Sequence, residues 1–339
     1  MKRIFATTAV LFAFAGVASA QTATTDPVGF VSVTVPAQSD AVLAVPLNRS
    51  AAFKGKIQTI SSNVITVAGT PAWTANQFVQ AIPTQNDTFA IQIATGTKEG
   101  LIAKVTANGT NTLTVQFDAG DDLTGVKSVD VDGVLNADEI DVLPYWTPAS
   151  LISAVPTTGT QLLFFPSSVA GTNLAAGTIY VFNGTEWRQG ATPVGNVPLG
   201  FGQAFIVRNN GGVPQTLSLV GSVPMAKHRT KIYTLAASSA TNQQQDNWIG
   251  YVSPVPETIG DLGLGFNAGD QMLVFDNAST GKNKAAAIVL VWTGVDWKQG
   301  ATVVTNTFQL QPGFGYVYRK KGTGTPQTVV WEDLQAYLQ

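Results

Sequence analysis

The chain has 339 residues, of which only 12% are charged; 19 basic residues stand against 21 acidic ones and a single histidine. Average soluble domains carry about 25% charge, so Thr, Ser, Asn and Gln supply the polar surface here. The lack of a basic excess argues against nucleic acid or an anionic membrane as partner. Cysteine is absent, so no disulfide holds the fold, and the length suffices for two or three domains with cores of their own.

Lys2 and Arg3, the apolar stretch Ile4 to Val17 and Ala18-Ser19-Ala20 have the form of a secretory signal peptide cleaved after residue 20. The apolar stretch is shorter than the roughly 20 residues that span a bilayer, and no second long apolar run follows. A mature chain from Gln21 would carry 17 basic residues against 21 acidic ones. The expected destination is the periplasm, the cell surface or the medium.

Strand patterns run through most of the chain. Phe30 to Val35 alternates and stops at Pro36, and Ala41 to Val45 is an apolar run stopped by Pro46. KIQTISSNVITVAG and AKVTANGTNTLTVQF each read as a strand, a polar turn and a Thr/Val-rich return strand. Ser62-Asn63 and Asn108-Gly109 supply turn residues that tolerate positive φ. No segment has a convincing 3.6-residue apolar period; single helical turns are expected at Asp138 to Ile140 and at Glu332 to Leu338.

Residues 161–216 recur at 271–328. Gln161, Trp187 and Gly190 match Gln271, Trp297 and Gly300 at 110 residues; Arg208 matches Arg319 at 111 and Pro214 matches Pro326 at 112. Such a drift is produced by loop insertions between fixed strands, and the repeat implies a duplicated β module. Upstream, LISAVP (151–156) matches YVSPVP (251–256), so extra residues around 257–266, expected to form a loop, enter the second copy. AVLAVP at 41–46 has the same form. The expected fold is all-β: a small antiparallel β domain over 21–143, then two tandem, duplicated β-sandwich-like modules at 144–225 and 226–339. A transmembrane β-barrel is disfavoured, because the runs are mostly five to seven residues and broken by proline.

The order PVGF (27–30), TGTKEG (95–100), GDDLTGV (120–126) and PYWTP (144–148), closed by the Trp/Gly repeats, resembles an exported family of verrucomicrobial-type bacteria. The resemblance covers essentially the whole mature chain. It implies a signal peptide and a β-rich fold, and it carries no catalytic residues to transfer. Residues 128–137 look like an insertion relative to that pattern. The PGFGY element also looks like a module found at the ends of large exported bacterial proteins.

The insertion holds a calcium-loop spacing. Gly133 takes the sharp-turn position, with Ser128, Asp130, Asp132, Asn136 and Glu139 at the first, third, fifth, ninth and twelfth places. Ser128 in place of Asp and the lack of flanking helices favour an ordinary acidic turn instead.

Aromatic residues raise a glycan-binding alternative. Trp187, Trp292, Trp297, Tyr316 and Tyr318 belong to the repeat and are expected to make its core; Trp73, Trp146 and Trp331 lie outside it and are the better stacking candidates.

Enzymatic signals are weak. His228 is the only histidine, in Lys227-His228-Arg229, and is expected at a domain junction; no nucleophile elbow, zinc-ligand set or phosphate-binding fingerprint is present. Glu99, Asp121, Asp122, Glu186 and Asp296 are available carboxylates, but no spacing brings two of them together. A secreted, non-enzymatic structural or interaction protein of the cell envelope or matrix is expected, self-associating through weakly charged edge strands.

Overall fold

A computed structural model describes residues 26–79, 87–152 and 156–339 of the chain. The expected signal peptide lies outside these residues. The fold is all-β, with two sandwich modules and a closed barrel.

The first module opens with β1 (Val28–Val35) and β2 (Ser39–Leu43). The chain then leaves it to form the barrel: β3 (Phe53–Ser61), β4 (Val64–Val67), β5 (Phe89–Ile93), β6 (Ile102–Asn108), β7 (Thr112–Gln116) and β8 (Glu139–Pro144), closed in the order β3-β4-β7-β6-β5-β8. Both expected hairpins form here. Ser61 pairs with Val64 around Ser62 at φ 56°, and Asn108 pairs with Leu113. Closure leaves no free edge, and Ile57, Ile65, Ile91, Val105, Leu113 and Ile140 fill the interior.

Two short helices flank the last barrel strand, α1 (Val129–Asp132) before it and α2 (Pro148–Leu151) after it. Thr147 and Ser150 form a reciprocal capping box on α2. Asp138 and Ile140, expected in a helical turn, instead lead into and lie within β8, where Ile140 is a core residue.

The chain re-enters the first module as β9 (Gln161–Phe164), β10 (Thr178–Phe182), β11 (Trp187–Gln189), β12 (Thr192–Pro193), β13 (Phe205–Asn209) and β14 (Gln215–Ser222). One six-stranded sheet has the order β12-β11-β10-β9-β13-β2, and β1 pairs with β14 as a two-stranded ribbon. Val31, Val35, Leu217 and Leu219 from the ribbon pack on Leu162, Phe205, Val207 and Trp187, which makes the sandwich core.

The second module follows the same path without the barrel. Its strands are β15 (His228–Thr234), β16 (Gln244–Gly250), β17 (Glu257–Thr258), β18 (Gln271–Val274), β19 (Ile288–Trp292), β20 (Trp297–Gln299), β21 (Thr302–Val303), β22 (Gln309–Leu310), β23 (Gly315–Lys321) and β24 (Gln327–Asp333). β15 pairs with β24 as β1 does with β14, and β16 pairs with β23 as β2 does with β13. A 3-10 turn at Ala336–Leu338 ends the chain, within the segment expected to be helical.

The duplication is therefore longer than the sequence match, and the domain boundaries differ from those expected. Residues 28–43 belong to the first module, and the barrel, 53–144, is an insertion between β2 and β9. Alternation identifies β1 and β2 as strands, but it carries no information about partners 162 to 194 residues away. AVLAVP at 41–46 is the visible trace of the hidden half. The segment at 257–266, expected as a loop, instead packs inward: Ile259, Leu262 and Leu264 are buried, and Leu262 and Leu264 accept the indole N–H groups of Trp331 and Trp297.

The two modules meet about a pseudo-twofold relation with reciprocal contacts. Asp40 pairs with Arg208 at 2.7 Å and Asp246 with Arg319 at 2.6 Å. Onto each aspartate comes an arm of the other module. The Asn283 N–H donates to Asp40 and the Asn173 N–H to Asp246, both at 2.7 Å; Arg208 and Arg319 then donate to the side-chain oxygens of Asn283 and Asn173. The Asp40 N–H reaches Gly281 O and the Asp246 N–H reaches Gly171 O, so each arm covers the otherwise open edge of β2 or β16. Three of the four glycines in the repeated Gly-Phe-Gly strings, Gly202, Gly313 and Gly315, lie against residues of the other module. A Cβ on Gly315 would stand 2.6 Å from Ala204 Cβ and 2.7 Å from Leu43 O.

Candidate functional site

None of the three tryptophans favoured for glycan stacking offers a free face. Trp73 and Trp331 are buried; Trp73 packs edge-on against Phe53 and Phe78, and Trp331 against His228. Trp146 is half-buried against the first module's core and donates to Leu47 O. The matched residues Trp187, Trp297, Tyr316 and Tyr318 are core, as their equivalence predicts.

The acidic loop does not gather its oxygens. Asp130 accepts from Gln58, Asp132 accepts from the Ser128 N–H at 2.9 Å, Asn136 donates to Asp132 O, and Glu139 pairs with Lys56 at 3.4 Å. Among the described residues no three acidic, His or Cys side chains converge as a metal group. Val131, Val134 and Leu135 of this loop are exposed.

The five carboxylates are similarly dispersed. Glu99 accepts the Lys227 N–H, Asp121 pairs with Lys231, Asp122 with Lys98 and Glu186 with Arg188. Asp296 accepts from Thr305 at a turn of the second module. His228 lies at the junction between modules, as expected. It is buried, its Nε2 has no protein partner, and burial lowers its pKa to about 4. Beside it a cavity of about 40 Å³ is also lined by Gln335, whose amide is unpartnered, and is large enough for a water or two.

Two larger features stand out. The first is the ribbon β1–β14, whose outer face exposes Val28 (72%), Phe30 (65%) and Val220 (60%). Neither eight-residue strand carries a charge. Among the described residues the other edge of β14 is met at Ser222, by Asn48. Its duplicate β15–β24 carries His228, Arg229, Lys231, Glu332 and Asp333, and its outer face receives the barrel through Lys231–Asp121 at 2.7 Å and Arg229–Asp121 at 3.8 Å.

The second is a cleft of about 500 Å³ where the barrel, β15–β16 and the first module's arm come together. Trp248 and Phe165 stack in one wall with ring centroids 3.7 Å apart and planes 5° from parallel. Tyr145, Phe201, Tyr233 and Phe117 line the remainder. Burial, and then the charge of Asp118, push the Tyr145 phenol up to about 12; burial and the charges of Asp118 and Asp121 also raise Tyr233. Both phenols are therefore neutral donors at physiological pH. Trp248 was missed by sequence reasoning because its counterpart in the first copy is Val42, so no repeat marked it.

No protein-family model, curated protein or solved structure matches the chain.

Proposed function

We propose that the chain is an exported, non-enzymatic structural or interaction component of the cell envelope or extracellular matrix, and that copies associate through the β1–β14 ribbon. The observation that carries this reading is the contrast between duplicates. Edges β2 and β16 are covered by arms and the face of β15–β24 by the barrel, while β1–β14 keeps an uncharged outer face on which Val28, Phe30 and Val220 stand exposed beside Ser32, Thr34, Thr216 and Ser218. Natural proteins normally guard such edges with charge, proline or a covering segment, and a neutral strand is complementary to its own copy.

Sedimentation of the mature chain over a wide concentration range tests the proposal. Concentration-dependent dimers or larger species are expected. Phe30→Lys, at an exposed position, should weaken association at least about tenfold. A strict monomer at every concentration would remove self-association from the reading.

A further inference from the structure

We infer that the cleft between the barrel and the second module is a binding site for a neutral oligosaccharide. The inference does not rest on self-association, since the cleft and the ribbon are separate surfaces.

Charge is the first argument. Of the cations facing the cleft, Arg229 and Lys231 are committed to Asp121, and Arg229 also to Glu332 at 2.9 Å. Lys104 and Asp118 remain, one of each sign and neither ion-paired. An anionic ligand needs uncommitted cations, ideally in a bidentate fork; the cleft has no such excess.

Hydrogen-bonding capacity is the second. The Tyr145 and Tyr233 hydroxyls, the Trp248 indole N–H, the Thr230 hydroxyl and the amides of Gln116 and Gln203 line the cleft and make no hydrogen bond among the described residues. Hydroxyls and primary amides both donate and accept, which matches a ligand whose surface alternates O–H donors and acceptors. Trp248 stacks on Phe165 and lies nearly parallel to Phe275, with ring centroids 6.1 Å apart, so it offers the cleft its edge and N–H; the apolar contact that C–H faces of sugar rings require comes from Phe117, Tyr145, Phe201 and Tyr233. The volume, about 500 Å³, lies within the usual range of small-molecule sites.

Divergence between the duplicates is the third. Strand register makes Thr34 the counterpart of Tyr233, Ser32 that of Lys231, and Val42 that of Trp248. The scaffold is repeated while the cleft-lining groups are not. Packing of the module cores does not account for these differences, because none of Thr34, Ser32, Val42, Tyr233, Lys231 and Trp248 belongs to either core cluster.

Saturation-transfer NMR and calorimetry on the mature chain, with cellotriose, chitotriose, maltotriose and laminaritriose as probes, test the inference. Binding of at least one is expected, with a perturbed tryptophan fluorescence signal. Tyr145→Phe and Tyr233→Phe remove one hydroxyl each without changing ring volume and should each weaken that binding about fivefold. Thr34→Val, at the counterpart position, should leave it unchanged. Absence of binding by all four sugars overturns the inference, as does affinity that survives undiminished in the Tyr145→Phe/Tyr233→Phe double variant. Binding of an oligogalacturonate in place of every neutral probe also overturns it.

Discussion

His228 and Asp333 show how burial sets the behaviour of single residues. They face each other in the β15–β24 ladder and both are buried. Burial holds the His228 imidazole neutral down to about 4. As pH falls below 6.5 the unfolded chain protonates first, so this contribution is complete above 6.5 and is lost between 6.5 and 4, a span worth roughly 3 kcal/mol. Burial, with the charges of Glu257 and Asp261, raises Asp333 to about 7. Its contribution has the opposite slope: it is complete below 3.8 and is lost as pH rises to 7. Urea unfolding at a series of pH values should show the acid-side loss reduced in His228→Gln and stability above pH 7 raised in Asp333→Asn. Unchanged slopes in both variants would mean that neither burial persists in solution. Sequence placed His228 at a junction from its basic neighbours; its unpartnered Nε2 depends on which atoms surround it.

Between elements, the arms that cross from one module to the other are the main device. Asp40–Arg208 and Asp246–Arg319 each join a buried carboxylate to a partly exposed guanidinium, and each is completed by an asparagine held at positive φ, Asn283 at 52° and Asn173 at 54°. Removing one carboxylate leaves a partly solvated guanidinium without its charged acceptor, which typically costs about 1–3 kcal/mol. Asp40→Ala and Asp246→Ala are expected to lower stability by similar amounts of that order, measured by chemical denaturation. A large loss in one and none in the other would contradict the pseudo-twofold equivalence. Part of this was legible. Arg208 and Arg319 matched across the repeat. Their partners were not legible, because Asp40 lies on the far side of an inserted barrel and Asp246 outside the matched span.

For the whole molecule, the barrel is both an insertion in one module and a partner of the other. Asp121 meets Lys231 and Arg229, and Glu99 accepts the Lys227 N–H at 3.0 Å. These links should make the three bodies unfold together in calorimetry, whereas Asp121→Ala should lower the barrel's transition and separate it from that of the modules. A single unshifted transition in the variant would show that Asp121 does not couple them. The sequence by itself determined the all-β class, the two barrel hairpins, the duplication and the core role of Trp187 and Trp297. Those properties follow from alternation, from turn residues that tolerate positive φ, and from side chains repeated at matched offsets. Only the tertiary structure decided that β1 and β2 belong to the first module, that each arm covers the other module's edge, and that Trp248 faces a cleft. The physical reason is that alternation fixes which face of a strand is buried, while the backbone hydrogen bonds that choose its neighbour are the same for nearly every residue type.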